Sequence, residues 1–420
     1  MPCECAIELK GNALSNHVSM RLQTTFDIRA WYDDIRSAGK PVAWCSAFAP
    51  AEVLVAMGIT PVYPENHAAM LGALAPERDH AQPFSRSAIA AAEAQGFSSP
   101  RLCAYALADL GVLTGNAPSP IGELPLPDVF YACDSQCAVV ARWGTAVQTH
   151  FAARSKHIPH HVLHAPPLRG ERHTATELAT FKAQLLEHVA ALEKQFATRL
   201  DPWRLAEVVA ESQAANSAWQ RCLELGKAQP APWTSFDAFT AMAPIVIARG
   251  TPLATDFYLR LERELRTRVA EGFSAVPGER RRLVWDAIPI WPRKNWLAKF
   301  FAERQVAMVA STYTHSWWFD FSGREPLDAV VERYAWNTMN RSGAWVLNWT
   351  TDIVRDFSAD GIVSHWNQSC GIWNSYVKRR LPGFAAAGIP CHVINADMVD
   401  VRAFDEDSVS AGLENFLQDL

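Results

Sequence analysis

No stretch of this 420-residue chain is apolar for long enough to cross a bilayer. The opening MPCECAIELKGN has no hydrophobic run of the kind a signal peptide needs. Basic residues are not in excess either. Against 44 Asp and Glu stand 39 Lys and Arg, a formal net charge of −5. That balance argues against a nucleic-acid partner, which calls for a basic stripe. The expectation is a cytoplasmic protein with neither membrane nor nucleic acid among its partners. In that compartment nine cysteines do not read as a disulfide framework. They contain no C-x-x-C pair, the spacing that marks many zinc sites. Metal chemistry, redox chemistry and plain core packing stay open for them. What is plentiful is apolar content, 49%, with 16 tryptophans that suit aromatic-lined pockets or interfaces. The length exceeds what one core supports, so two or three domains are expected.

The chain opens on an arm, 1–25, that carries Cys3 and Cys5 without an evident role. From there to about 170 short apolar strands alternate with helices. Helices are expected at 28–38, closed by Gly39, at 50–57, closed by Gly58, and at 85–95 and 101–110. Strands are expected at 41–44, 61–63, 129–132 and 161–163, and a further helix from about 136. Residues 171–275 show helical patterning and no strand signal, with a break at Asp201-Pro202, where proline suits a first turn. The alternation resumes over 276–420, with strands at 283–288, 306–310, 360–364 and 391–394. Such alternation indicates α/β architecture with parallel sheets, here two α/β domains joined by a helical segment.

Cysteine recurs just past strand ends in this pattern. Cys45 closes the strand at 41–44, Cys133 and Cys137 follow the run VFYA, and Cys370 follows DGIVSHWNQS. Ligands of open parallel sheets bind beyond the carboxyl ends of strands. A thiolate at a helix N-terminus is favoured by the helix dipole and by free N–H groups. Each cysteine also reads as a small buried hydrophobe. Dispersed thiolates from two units suit an iron–sulfur cluster better than zinc. Cys103 reads as structural, because it falls inside the helix expected at 101–110.

In order along the chain stand AWCSAFAPAEVLVAMGITPVYPENHAA at 43–69, RLCAYALADLG at 101–111 and PDVFYACDSQCAVVARW at 127–143. VASTYTHSWW at 309–318, DGIVSHWNQSCG at 360–371 and INADMVDVRAF at 394–404 follow. This combination resembles the 2-hydroxyacyl-CoA dehydratase and benzoyl-CoA reductase family from about residue 31 to the end. The resemblance implies two Rossmann-like α/β domains with a helical part. It implies a [4Fe–4S] cluster on three cysteines, carried over as Cys45, Cys137 and Cys370, with Cys133 in reserve. It further implies an acyl-CoA substrate, a related second subunit in a heterodimer (or a homodimer), and an ATP-dependent iron–sulfur activator. The implied reaction is a lyase step: one electron makes a ketyl radical of a 2-hydroxyacyl thioester, which expels water. Alternatives within the resemblance are a benzoyl-CoA reductase-type subunit, a reductase of small molecules with a double-cubane [8Fe–9S] cluster, and a non-catalytic partner subunit. The double-cubane reading would draw in Cys103 and Cys133.

Under the same resemblance Glu65, past the strand at 61–63, is the candidate base. Its competing reading is a carboxylate at a helix N-terminus. Ser46 is a candidate donor to substrate or cluster, or else an N-cap for the helix near Pro50. His365, five residues before Cys370, is a candidate substrate contact, or else a packed side chain. Arg293 and Lys294 are candidates for the CoA phosphates, or else a solvated turn. Trp44 and THSWWFDF at 314–321 point to a bulky acyl group, or to a pocket filled by the protein itself.

Overall fold

The computed structural model describes residues 22–76, 82–99 and 101–420. The arm's first 21 residues, with Cys3 and Cys5, lie outside that range. The first α/β unit comprises α1 (Ile28–Ala38), β1 (Val42–Cys45), α2 (Ala51–Ala56), β2 (Thr60–Val62), α3 (Pro64–Ala73), α4 (Phe84–Ala94), α5 (Ala104–Gly115), β3 (Val129–Cys133), α6 (Val139–Ala152) and β4 (His160–Leu163). Helices α7 (Ala175–Phe196), α8 (Pro202–Glu224), α9 (Ser235–Ala241), α10 (Ala243–Ile247) and α11 (Pro252–Ala270) follow. The second unit holds β5 (Arg281–Asp286), α12 (Lys294–Glu303), β6 (Val306–Ser311), α13 (Thr312–His315), α14 (Pro326–Ala335), α15 (Gly343–Asp356), β7 (Gly361–Asn367), α16 (Gly371–Ala386), β8 (Cys391–Ala396) and α17 (Glu406–Gln418). No helix among the described residues is long and apolar enough to cross a membrane.

Each unit is built on a four-stranded sheet, in the orders β2-β1-β3-β4 and β6-β5-β7-β8. Every pairing is parallel. The class is therefore α/β with two Rossmann-like sheets. In both sheets the chain steps outward to one side and then returns to the other. The resulting switch points lie beyond the carboxyl ends of β1 and β3, and of β5 and β7, where such sheets leave a crevice.

The two faces of the first sheet feed different cores, because side chains alternate along a strand. Trp44, Phe130 and Ala132 join Leu283, Trp285 and Val363 of the second sheet in a core that the two units share. Ala43, Cys45, Val129, Tyr131 and Cys133 point the other way, into a core closed by α7, α8 and α11. Close approach ties the units further. At Gly72 of α3 a Cβ would lie 2.6 Å from Val399 Cγ1 and 3.2 Å from Trp291 Cβ. At Gly111 it would lie 1.7 Å from Ala88 O, so only glycine lets α5 seat on α4.

The second sheet is locked by a buried ion pair. Arg380 of α16 donates from Nη1 and Nη2 to the two oxygens of Asp286, each at 2.9 Å, with both side chains fully buried. Thr312 Oγ1 and Ser364 Oγ donate to the same carboxylate at 2.8 and 2.7 Å. Breaking one partner of such a pair leaves a buried charge uncompensated, at a cost of about 3–5 kcal/mol. Arg380→Met is therefore expected to lower the urea midpoint by that much stability. A midpoint equal to the parent's would show that the pair contributes nothing net.

Candidate functional site

Three thiols sit at the starts of three helices. Cys103 is the N-cap of α5, and Cys370 is the N-cap of α16. Cys137 lies two residues ahead of α6. None of these helices has a side-chain cap bond. The first-turn N–H groups serve the sulfurs instead: Ala106 for Cys103, Val139 and Val140 for Cys137, Trp373 and Ile372 for Cys370. Burial pushes all three thiols up, Cys103 well above the usual range, Cys137 to about 11 and Cys370 to about 12. They also feel one another. Cys137 and Cys370 raise Cys103 further, and Cys137 raises Cys370. All three pack against the shared core. The loops that carry them are fastened together, since Ala104 N donates to Ser369 Oγ at 3.0 Å and Ser369 N to Asp397 Oδ2 at 3.0 Å.

Cys45 is not part of this group, contrary to the expectation. It is still within β1, paired with Tyr131, so strand alternation turns it into the opposite core. Its Sγ donates to Ala43 O at 3.4 Å, although its residue borders the small cavity beside Glu65. Cys133, the reserve candidate, shares that opposite face and pairs its thiol with Ser135 Oγ at 3.2 Å. Cys103 takes the place assigned to Cys45. The helix expected from 101 starts at Ala104, which turns Cys103 from a mid-helix packing residue into a cap.

Glu65 lies in the first turn of α3, with Pro64 at the start of that helix. Its carboxylate does not serve its own helix. Oε1 accepts from Ala47 N at 2.7 Å and Oε2 from Gln136 Nε2 at 2.6 Å, while Gln136 Oε1 accepts from Phe48 N at 3.2 Å. Gln136 thus clamps the loop after β1 to the loop before α6. This clamp and the neighbouring bonds of Asp134 explain why α6 begins at Val139 and not at 136. Burial raises the Glu65 carboxyl above the ordinary carboxylate range, against the pull of its two donors and of Arg249.

Arg249, on the segment after α10, is fully buried in a cage of Tyr63, Trp317, Phe319 and Tyr334 rings at 5.5–5.8 Å. Its Nη2 donates to Ala47 O at 3.0 Å, which holds the loop that feeds Glu65. Part of the aromatic run at 314–321 is thereby spent on packing: Trp317 stacks on Phe48 with centroids 4.8 Å apart. Trp44 is likewise committed, donating from Nε1 to Pro125 O at 2.7 Å.

Ser46 does not cap α2, whose N-cap is Pro50. Its Oγ accepts from Cys133 N at 3.0 Å, at the switch point of the first sheet. His365 is fully buried on β7, with Nδ1 2.6 Å from Ile288 O and the Ala396 carbonyl as a second backbone neighbour of the ring. Burial lowers its pKa below the usual histidine range, against the Ile288 and Ala396 carbonyls. Arg293 stacks over Phe404 at 5.5 Å, and Lys294 Nζ donates to Thr240 Oγ1 at 2.6 Å.

Other residues around the thiols were not anticipated. Tyr105 and Tyr313 share a hydrogen bond near Glu65, and Trp291 Nε1 donates to the Tyr105 phenol. His67 of α3 meets Asp109 of α5 at 3.0 Å, and Trp143 of α6 donates to the other Asp109 oxygen at 3.1 Å. This buried network braces the three helices that carry Glu65, Cys103 and Cys137. The sequence signal for it is faint: the polar residues His67 and Asp109 stand inside otherwise apolar helical runs.

Among the described residues no three His, Cys, Asp or Glu side chains are drawn close enough to share one metal ion. A polynuclear cluster asks for something else, thiolates that each bind a different iron. Three thiols at three helix N-termini, each served by first-turn N–H groups, match that donor set.

Two parallel-sheet units that share a core, with three cysteines at the starts of helices packed against it, define the class. The profile described as 2-hydroxyglutaryl-CoA dehydratase, D-component, matches residues 46–420, and the chain belongs to that family. It is 28% identical over 378 residues to the (R)-phenyllactyl-CoA dehydratase alpha subunit of Clostridium sporogenes, covering 89% of this chain and 88% of that one. Over 387 residues it is 27% identical to the (R)-2-hydroxyisocaproyl-CoA dehydratase alpha subunit of Clostridioides difficile, covering 91% of each. A benzoyl-CoA reductase subunit of Thauera aromatica is 24% identical over 336 residues, covering 76% of each.

Proposed function

We propose that this chain is the iron–sulfur subunit of a 2-hydroxyacyl-CoA dehydratase-type enzyme, with Cys103, Cys137 and Cys370 as ligands of a [4Fe–4S] cluster. The observation that carries the reading is that these three helix-start thiols interact with one another, with the half-buried Glu65 carboxylate within reach of Cys103 and Cys137. When bound, the cluster supplies one electron at low potential and an iron with a position open to substrate oxygen. The chain's own residues do the rest. The helix N-termini favour the thiolate form of each ligand. The shared apolar core limits water around the site. Glu65 takes the proton from the substrate carbon, its affinity for that proton raised by burial. Ser46 Oγ accepts from Cys133 N at the switch point, which leaves its hydroxyl hydrogen to donate to substrate or cluster, and the Tyr105–Tyr313 pair lies within electrostatic reach of Glu65. The partners that go with this reading are an acyl-CoA substrate, a related second subunit and an ATP-dependent iron–sulfur activator. The placement of Cys45 and Cys133 in the opposite core supports a four-iron cluster over the eight-iron alternative.

Anaerobic reconstitution with iron and sulfide tests the reading. About four irons per chain are expected, with the absorbance and reduced-state EPR of a cubane. About eight would restore the double-cubane alternative, and none would sink both.

A further inference from the structure

Arg249 makes no hydrogen bond to Glu65 or to the three thiols, yet each of its hydrogen bonds leads to Glu65. The local chain explains how it gets there. Gly250 follows it in the left-handed region at φ 73°, where a Cβ would lie 2.5 Å from Val208 Cγ1. The backbone therefore turns against α8 directly after Arg249, and the side chain runs inward to its aromatic cage, a setting that suits a planar guanidinium. All of its hydrogen bonds leave from Nη2: to Ala47 O at 3.0 Å, to Tyr63 Oη at 3.2 Å and to Ala49 O at 3.4 Å. Nε and Nη1 have no partner among the described residues.

Those three acceptors are the supports of Glu65. Ala47 N donates to Glu65 Oε1 at 2.7 Å. Phe48 N belongs to the peptide whose carbonyl Arg249 holds, and it donates to Gln136 Oε1 at 3.2 Å, while Gln136 Nε2 donates to Glu65 Oε2 at 2.6 Å. Tyr63 is the N-cap residue of α3, two residues before Glu65. One nitrogen thus fixes the loop that feeds both carboxylate oxygens, together with the residue that starts the helix of Glu65. The path to Oε2 runs in one sense at every link, from the guanidinium through the 47–48 peptide and the Gln136 amide. Chains of this kind polarise link by link, so the charge on Arg249 strengthens the last bond, the one on Glu65. Glu52, the acid whose charge Arg249 feels, is already held by Tyr334 Oη at 2.6 Å and Ser212 Oγ at 2.8 Å.

We propose that Arg249 is a positioning residue for Glu65: it holds the loop at 47–49 so that both carboxylate oxygens receive a donor and the carboxylate keeps one orientation. The role of Glu65 as a base rests on the dehydratase reading; the clamp rests on these hydrogen bonds alone.

Infrared spectra of the iron-free chain and turnover of the assembled enzyme test it together. Subtracting the spectrum of Glu65→Gln isolates the Glu65 carboxyl band, in the parent and again in each Arg249 background. The band is expected to shift in Arg249→Met, which removes the donor but still fills the apolar cage. Arg249→Lys, which keeps the charge with a shorter reach, should fall between, and it is the milder variant for the fold. With lactoyl-CoA and phenyllactyl-CoA as probes, Arg249→Met should lower kcat by roughly 10–100-fold, the scale of a misplaced catalytic group, with KM and iron count little changed. In a Glu65→Gln background the same substitution should cost nothing further, because residues that act through one another do not add. A Glu65 band at the parent's position in every folded variant overturns the proposal. Losses in kcat that add fully in the double variant overturn it too. So does a lower melting temperature with band and kcat at parental values, which would leave Arg249 as packing for the junction around Glu52. Parental turnover in Glu65→Gln, beside a band that moves with Arg249→Met, would uphold the clamp while removing Glu65 as the base.

Discussion

Cys103→Ser is expected to take reconstituted iron from about four per chain to below about one, and Cys137→Ser and Cys370→Ser to do the same. Cys45→Ser, the substitution that sequence reasoning alone would have chosen, should retain its iron. The contrast follows from which way each thiol faces. Cys103, Cys137 and Cys370 meet at the shared core, each with N–H groups from the helix it opens. The Cys45 sulfur lies on the far side of β1. Serine is small enough to replace cysteine at these half-buried positions with little disturbance, so melting curves should stay close to the parent's. Reduced-state EPR separates loss of the cluster from a change in its type. If Cys45→Ser loses iron and Cys103→Ser does not, the ligand set proposed here is wrong and the set read from the sequence returns.

The reason the two ligand sets differ lies in what a sequence shows directly. Local signals were legible. Asp27 caps α1 through bonds to Arg29 N and Ala30 N, and Gly39 ends it in the left-handed region, which places that helix from its residues alone. The strand ends were legible too, and with them the switch points where ligands gather. Cys137, Cys370 and Glu65 were candidates from that rule taken together with the family resemblance. Cys45 satisfies the same rule in one dimension and fails it in three, because one residue of register decides which face of a strand a side chain takes. Cys103 follows no strand at all. It sits between α4 and α5, and its helix begins three residues later than Pro100-Arg101 suggests, so the strand-end rule could not reach it. The Asp109 bonds to His67 and Trp143 span 42 and 34 residues, and Arg249 reaches back 202 residues to Ala47. Contacts at those separations leave no periodic trace in a single sequence.

Glu65→Gln should reduce turnover by about 10²–10⁴-fold, the usual loss for a general base, with iron content unchanged because no carboxylate is a ligand here. The parent's rate should fall as pH drops through the Glu65 pKa, since a protonated carboxyl cannot accept the substrate proton. Because burial raises that pKa, the limb should lie above the ordinary carboxylate range, and it should vanish in the variant. The substitution is not silent for structure. Gln136 donates to Glu65 and accepts from Phe48 N, so its orientation is fixed by both neighbours. A glutamine at 65 either presents N–H groups to N–H groups or forces Gln136 to turn and abandon Phe48. Either way a buried group loses its partner, at about 1–3 kcal/mol. A drop in turnover from that disturbance alone would imitate loss of the base. The double variant Glu65→Gln, Gln136→Glu separates the two causes, because it restores an acceptor–donor pair while moving the carboxylate from α3 to the loop before α6. Stability should return toward the parent's, while turnover stays low. Recovery of both together would mean that the hydrogen bond, and not the position of the base, is what the site requires of Glu65.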